Sequence, residues 1–122
     1  MTFTIVTSGE DPSVLLLDGE LDLATLPQLN DRVDRLVEVG RTRILLDLSG
    51  LSFCDSTGLG GFVRGNNLCT DAGGWLRVVG ANGGVARVLA ATGLDRFLAP
   101  EPQGARPTGD RAGDDGAGGN PS

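Results

Sequence analysis

The sequence predicts a single-domain α/β fold with a mixed, mostly parallel β-sheet and helices. Three observations lead there. Short apolar runs alternate with longer amphipathic ones, each changeover is marked by Gly, Pro, Asp or Asn, and no apolar run is long enough to cross a bilayer. A strand–helix–strand alternation in one sheet requires right-handed crossovers, which make those strands parallel.

The elements follow in order. Phe3 to Thr7 is β-rich, Gly9-Glu10-Asp11-Pro12 reads as a turn, and Val14 to Leu17 is a second strand ending at Asp18-Gly19. These two runs form a hairpin, so the first strand is antiparallel. A helix is expected from Leu26 to Val39. Thr25 and Gln28 have capping-box spacing, Pro27 lies in the first turn, Leu26, Leu29, Val33, Leu36 and Val37 form the apolar stripe, and Gly40 stops it. Asp31 and Arg35 add an i,i+4 pair in the favourable order.

Arg43 to Leu48 reads as a buried strand, broken by Ser49-Gly50. A second helix should run from Ser56 or Thr57 to Ala72, with Leu59, Phe62, Val63 and Cys69 inward. It contains Gly58, Gly60, Gly61 and Gly65, each costing about 1 kcal/mol against Ala, so something must approach closely enough to demand small side chains. Trp75 to Val79 is another strand. Asn82 can cap a third helix carrying Val85, Val88 and Leu89 and stopped by Gly93. Asp95 to Leu98 is expected as a short edge strand or turn.

The folding unit is residues 1–99. The remaining stretch, 100–122, holds 23 residues with 6 Gly and 4 Pro, and three alanines are its only apolar side chains. Such a segment cannot bury enough surface to offset its ordering entropy, so it is expected to be a disordered acidic tail.

Absences exclude whole classes of chemistry. The 122 residues contain no His and no Lys, which removes Ser–His triads, His-ligated zinc, lysine Schiff bases and the P-loop lysine. With no Tyr, one Trp and four Phe, an aromatic base-stacking surface is not expected. The net charge is −6, of which the tail's four acids and two arginines account for −2, leaving −4 on the body. An acidic body argues against nucleic acid and anionic membrane and for a basic or mixed protein partner. Cys54 and Cys69 lack C-x-x-C spacing and read as buried reduced thiols. The N-terminal stretch lacks a basic n-region, so the protein is expected to be cytoplasmic.

Asp55-Ser56-Thr57-Gly58 lies where a buried strand hands over to a helix, the end of an α/β sheet where ligands bind. A hydroxyl there is either an ordinary N-cap or a functional group. Three functional readings compete. Ser56 as a nucleophile lacks a base and a G-x-S-x-G context. The glycines do not fit G-x-G-x-x-G, which weakens a nucleotide site. As a phosphate acceptor, Ser56 would gain about −1.5 to −2 charges. The helix end would welcome these and Asp55 and Asp22 would oppose them, while an interface fitted to a neutral hydroxyl would be disrupted.

Gly19-Glu20-Leu21-Asp22 together with Leu51-Ser52-Phe53-Cys54-Asp55-Ser56-Thr57-Gly58-Leu59-Gly60 closely resembles the STAS domain of bacterial anti-anti-sigma factors (anti-sigma factor antagonists). The likeness extends through Val85-x-x-Val88-Leu89 and Thr92-Gly93-Leu94 and covers residues 3–98. The resemblance implies a STAS fold and a non-enzyme that needs no cofactor. It implies a protein that, unphosphorylated, binds a serine-kinase anti-sigma factor of GHKL-type ATPase fold and so frees the sigma factor. The kinase would phosphorylate Ser56 and a PP2C-type phosphatase would reverse it. Asp22, Asp55, Ser56, Thr57, Gly58, Leu59 and Gly60 would form the partner-binding site, with Asp22 as the acidic neighbour of the phosphorylation site and Thr57 as a capping residue. The close approach expected at the second helix would then be a partner backbone or nucleotide-binding edge.

Two departures stand out. Family members usually end in another amphipathic helix, where this chain has its polar tail. The helix after Ser56 is rich in Gly and Asn (Gly65, Asn66, Asn67), which is expected to alter partner choice and lower local stability. Two alternatives remain: a STAS scaffold in a stressosome-like or lipid-transport assembly, where Ser56 is never phosphorylated, and a small hydrolase or nucleotide-binding enzyme.

Overall fold

The computed structural model describes residues 2–99, so the tail expectation for 100–122 lies outside the described residues. The elements are β1 (Phe3–Ser8), β2 (Ser13–Leu21), α1 (Leu26–Glu38), β3 (Arg43–Cys54), α2 (Ser56–Asp71), β4 (Trp75–Val79), α3 (Gly83–Thr92) and α4 (Leu94–Phe97). The sheet order is β1-β2-β3-β4, with β1 antiparallel to β2 and the other two pairings parallel. Successive right-handed crossovers that step in one direction put α1 and α2 on the same face. That face is the core: Leu15, Leu17, Leu21, Ile44, Leu46, Leu48, Leu51, Leu76 and Val78 of the sheet cluster with Leu29, Val33 and Leu36 of α1, Phe62 of α2, and Val85 and Leu89 of α3. Val6 and Leu16, which pair across β1 and β2, are exposed on the opposite face.

The expected strand breaks at Asp18-Gly19 and Ser49-Gly50 do not break strands. β2 and β3 run through both, because each irregularity is absorbed as a bulge. Leu16 pairs with Asp47 but Asp18 pairs with Gly50; Gly19 pairs with Leu51 but Glu20 with Phe53. Each shift places one extra residue on β3. At the first, the Asp47 carboxylate accepts the Ser49 N–H at 2.9 Å; at the second, the Ser52 hydroxyl donates to the Gly19 carbonyl at 3.0 Å. Gly19 is required here. Its φ is +110°, and a Cβ would collide with the Thr2 carbonyl, while the neighbouring Glu20 N–H bonds that same carbonyl at 3.0 Å.

The glycines of α2 have an internal reason, which corrects the expectation of an approaching partner. A Cβ on Gly58 would meet the Cys54 thiol at 2.7 Å and Leu21 at 3.0 Å, one on Gly61 would strike Leu26, and one on Gly65 would meet Leu76 at 2.9 Å. These three let α2 lie close against the strand ends and α1. Gly60 alone of the four faces open space. The glycines thus exchange helix propensity for close packing.

The Asp95–Leu98 segment is neither strand nor open turn. Gly93, left-handed at φ +79°, ends α3 and starts α4. The chain then returns to the β4 edge, where the Leu98 carbonyl accepts the Val78 N–H at 2.8 Å. The buried Asn66 side chain accepts the Leu76 N–H on β4 at 3.1 Å and an Arg77 guanidinium N–H at 3.4 Å. Asn66 therefore supplies an acceptor to a backbone donor that would otherwise be buried unpaired. Asn66→Ala should lower unfolding free energy by about 1–3 kcal/mol in urea denaturation, the cost of orphaning a buried donor.

Candidate functional site

The site forms where β2 and β3 end side by side, Leu21 opposite Cys54. Each strand is followed by an aspartate that organises the backbone of the next helix. The Asp22 Oδ1 accepts the Ala24 N–H at 2.9 Å and the Thr25 N–H at 3.1 Å. The Thr25 hydroxyl donates to the Glu20 carbonyl at 2.8 Å and accepts the Asp22 N–H at 3.0 Å, binding the strand end to the turn. Thr25 holds the N-cap position of α1 without a side-chain cap bond, so the capping box expected with Gln28 does not form; its hydroxyl is spent on the strand it follows.

In the second turn, Asp55 is the N-cap of α2. Its backbone is extended, its Oδ1 accepts the Gly58 N–H at 3.0 Å, and its carbonyl takes the first helical bond from Leu59 N–H at 3.0 Å. The Asp55 N–H in turn points at the Leu21 carbonyl, 3.4 Å away. This corrects both the N-cap reading of the hydroxyls and the assignment of Thr57 as the capping residue. A carboxylate at N-cap satisfies the same orphan amide with a full charge at the positive end of a helix. Ser56 is then the first helical residue, exposed, and among the described residues its hydroxyl makes no hydrogen bond. Thr57 is half-buried and its hydroxyl is likewise unpaired.

The structure brings Asp22, Asp55, Ser56 and Thr57 to one end of the sheet and separates the remaining predicted residues by role. Gly58 and Leu59 are buried and support the turn from beneath, while Gly60 is exposed one turn along α2. Two exposed apolar side chains at the same end were not singled out from the sequence: Leu23, directly after Asp22, and Phe53, on the β3 bulge. Alternation cannot find Phe53, because the bulge shifts the period, and it does not extend to Leu23, which lies in the turn after β2.

Cys54 sits under the turn with its thiol pushed up to about 12, first by burial and then by the Asp55 charge; burial pushes Cys69 up to about 11. Both are free, buried and protonated near neutral pH. Among the described residues no cluster of three metal-ligating side chains occurs, and no helix is long and apolar enough to cross a membrane.

With this geometry, the matches to known proteins can be placed. A family model described as "Mlab, STAS domain" matches residues 5–100. The chain belongs to the STAS family. An anti-sigma-B factor antagonist of Staphylococcus aureus is 30% identical over 99 residues, covering 80% of this chain and 92% of that protein. The crystal structure of an anti-sigma factor antagonist from Mycobacterium paratuberculosis matches with a TM-score of 0.70 at 28% identity, over 83% of this chain and 88% of that one. The anti-sigma factor antagonist SpoIIAA, in its unphosphorylated form, shares the fold at a TM-score of 0.69 and 22% identity, over 84% and 90%. The mixed four-stranded sheet expected of a STAS domain is thus the one observed.

The division of labour between the two neighbouring residues of this STAS turn is measurable by melting. Asp55→Ala should cost about 1 kcal/mol through loss of the cap, whereas Ser56→Ala should stay within about 0.5 kcal/mol of the parent because nothing bonds its hydroxyl.

Proposed function

We propose that this chain is an anti-sigma factor antagonist, a binding protein rather than an enzyme, switched by phosphorylation of Ser56. The observation that carries this reading is the exposed, unbonded Ser56 hydroxyl, left free because Asp55 caps α2. The name of the Staphylococcus aureus relative supports the antagonist role, since this chain spans 92% of that protein.

Unphosphorylated, the chain binds an anti-sigma factor with serine-kinase activity and a GHKL-type ATPase fold, and the sigma factor is released. Asp22, Asp55, Ser56, Thr57 and Gly60 face the partner or border it, over the support of Gly58 and Leu59. The kinase transfers the terminal phosphoryl group of ATP to the Ser56 oxygen, the hydroxyl proton leaves, and ADP departs. A PP2C-type phosphatase returns the serine by hydrolysis.

Phosphate adds about −1.5 to −2 charges at the first helical position. The first-turn amides and the helix dipole favour it, whereas the nearby Asp22 and Asp55 carboxylates oppose it. Within the domain these effects offset one another, so the fold persists. At the interface they do not, because a surface fitted to a neutral hydroxyl must accommodate a desolvated dianion.

Mass spectrometry after incubation with ATP and the anti-sigma kinases of the same genome should place one phosphate on Ser56. Ser56→Ala should gain none while still binding the kinase. A phosphate on Thr57 would refute the assignment, and no mass gain with any kinase would favour an unphosphorylated STAS scaffold.

A further inference from the structure

Two exposed apolar side chains lie at the end of the sheet that carries Ser56. The first is Leu23, 75% exposed in the β2–α1 turn. An apolar side chain in a turn is unremarkable when the turn is loose, but this one is held from both sides. The Asp22 carboxylate binds the amides of Ala24 and Thr25, and the buried Thr25 hydroxyl binds Glu20 and Asp22. Leu23 is therefore displayed on a pre-organised backbone, and an anchor that loses little entropy on docking contributes more of its burial to affinity.

The second is Phe53, 47% exposed beside the buried Leu51 and Cys54. Phe53 owes its position to the second β3 bulge, where the extra residue resets the register so that Phe53 pairs with Glu20. Bulges next to functional sites commonly re-aim a side chain. Leu23 lies two residues past Leu21, and Ser56 two past its register partner Cys54, so the turn, the bulge and the hydroxyl share one end of the sheet.

We infer that Leu23 and Phe53, at the end of the sheet that carries Ser56, are apolar anchors that seat in recesses of the kinase partner's surface within a basic rim. This rests on the antagonist reading above. The basic rim follows from charge: Glu20 pairs with Phe53, Asp22 directly precedes Leu23, Asp55 lies two residues past Phe53, and the body carries net −4. Buried aromatic or aliphatic anchors supply the affinity of an interface, and surrounding charges supply orientation and encounter rate. The switch gains leverage from this placement, since a phosphate at the same end of the sheet must be desolvated as the anchors seat.

Isothermal titration of the full-length chain against the anti-sigma kinases of the same genome tests the anchors. Leu23→Ser and Phe53→Thr (the latter keeping a strand-forming residue) should each weaken Kd about tenfold or more, with the melting temperature unchanged for Leu23→Ser, 75% exposed, and lowered modestly for Phe53→Thr, whose ring is about half buried. Val39→Ser, equally exposed at the far end of α1, should leave Kd unchanged. Affinity of the parent should fall as salt is raised. If Ser56→Asp abolishes binding while Leu23→Ser and Phe53→Thr stay within twofold of the parent, the switch stands and the anchors are refuted. Val39→Ser weakening binding equally would also refute them. If sedimentation shows dimers that these two substitutions dissolve while the kinase Kd is unmoved, the patch serves a second copy and the inference fails. If the unmodified chain binds no kinase, the antagonist reading and the anchors fall together.

Discussion

One hydrogen bond organises the candidate site of this domain: the Asp55 carboxylate accepting the Gly58 amide at 3.0 Å. The first turn of any helix needs an acceptor, and a serine in that place would ordinarily provide it. Here the residue before the serine does so. The consequence is chemical: the exposed Ser56 hydroxyl stays uncommitted on a backbone that is rigid for independent reasons. Modifying that oxygen removes no internal bond, so a charge can be added without dismantling the helix that displays it.

The rigidity comes from packing beneath the turn. Gly58, Gly61 and Gly65 let α2 settle against Leu21, Cys54, Leu26 and Leu76, and Phe62 is fully buried. The two β3 bulges extend that strand so that its end comes level with the end of β2. Without the extra residues, Leu21 would face another part of β3, and the Asp22 and Asp55 turns would not lie side by side. The surface that displays Ser56 is thus a product of sheet register as much as of the motif around the serine.

The types and order of the elements from β1 to α3 were legible in the sequence because hydrophobic period and punctuating residues are local signals, whereas the α4 segment, expected as an edge strand or turn, was not. Pro27, Gly40 and Gly93 marked helix limits where the structure has them. Strand length was less legible. Asp18-Gly19 and Ser49-Gly50 carry turn chemistry that the fold uses inside paired strands, where Asp47 and Ser52 satisfy the local backbone. Capping is not local: the Thr25 hydroxyl is spent on the Glu20 carbonyl and the Asp22 amide, and in the second turn the Asp55 carboxylate takes the Gly58 amide, so only tertiary placement decides which group caps. The role of Asn66 required knowing that β4 is an edge strand, a property of topology. The motif of the site was visible; the exposure of Ser56, Leu23 and Phe53 was not, since it depends on the cap, the Asx turn and the bulge.

In the proposed switch, charge at one oxygen governs docking while leaving the fold intact. The most direct measurement compares two preparations of the full chain, unmodified and fully phosphorylated at Ser56, titrated against the same anti-sigma kinase and melted side by side. The phosphorylated chain should bind about a hundredfold or more weakly, as expected for a desolvated charge mismatch, at an almost unchanged melting temperature. Equal affinity of the two forms would contradict the account.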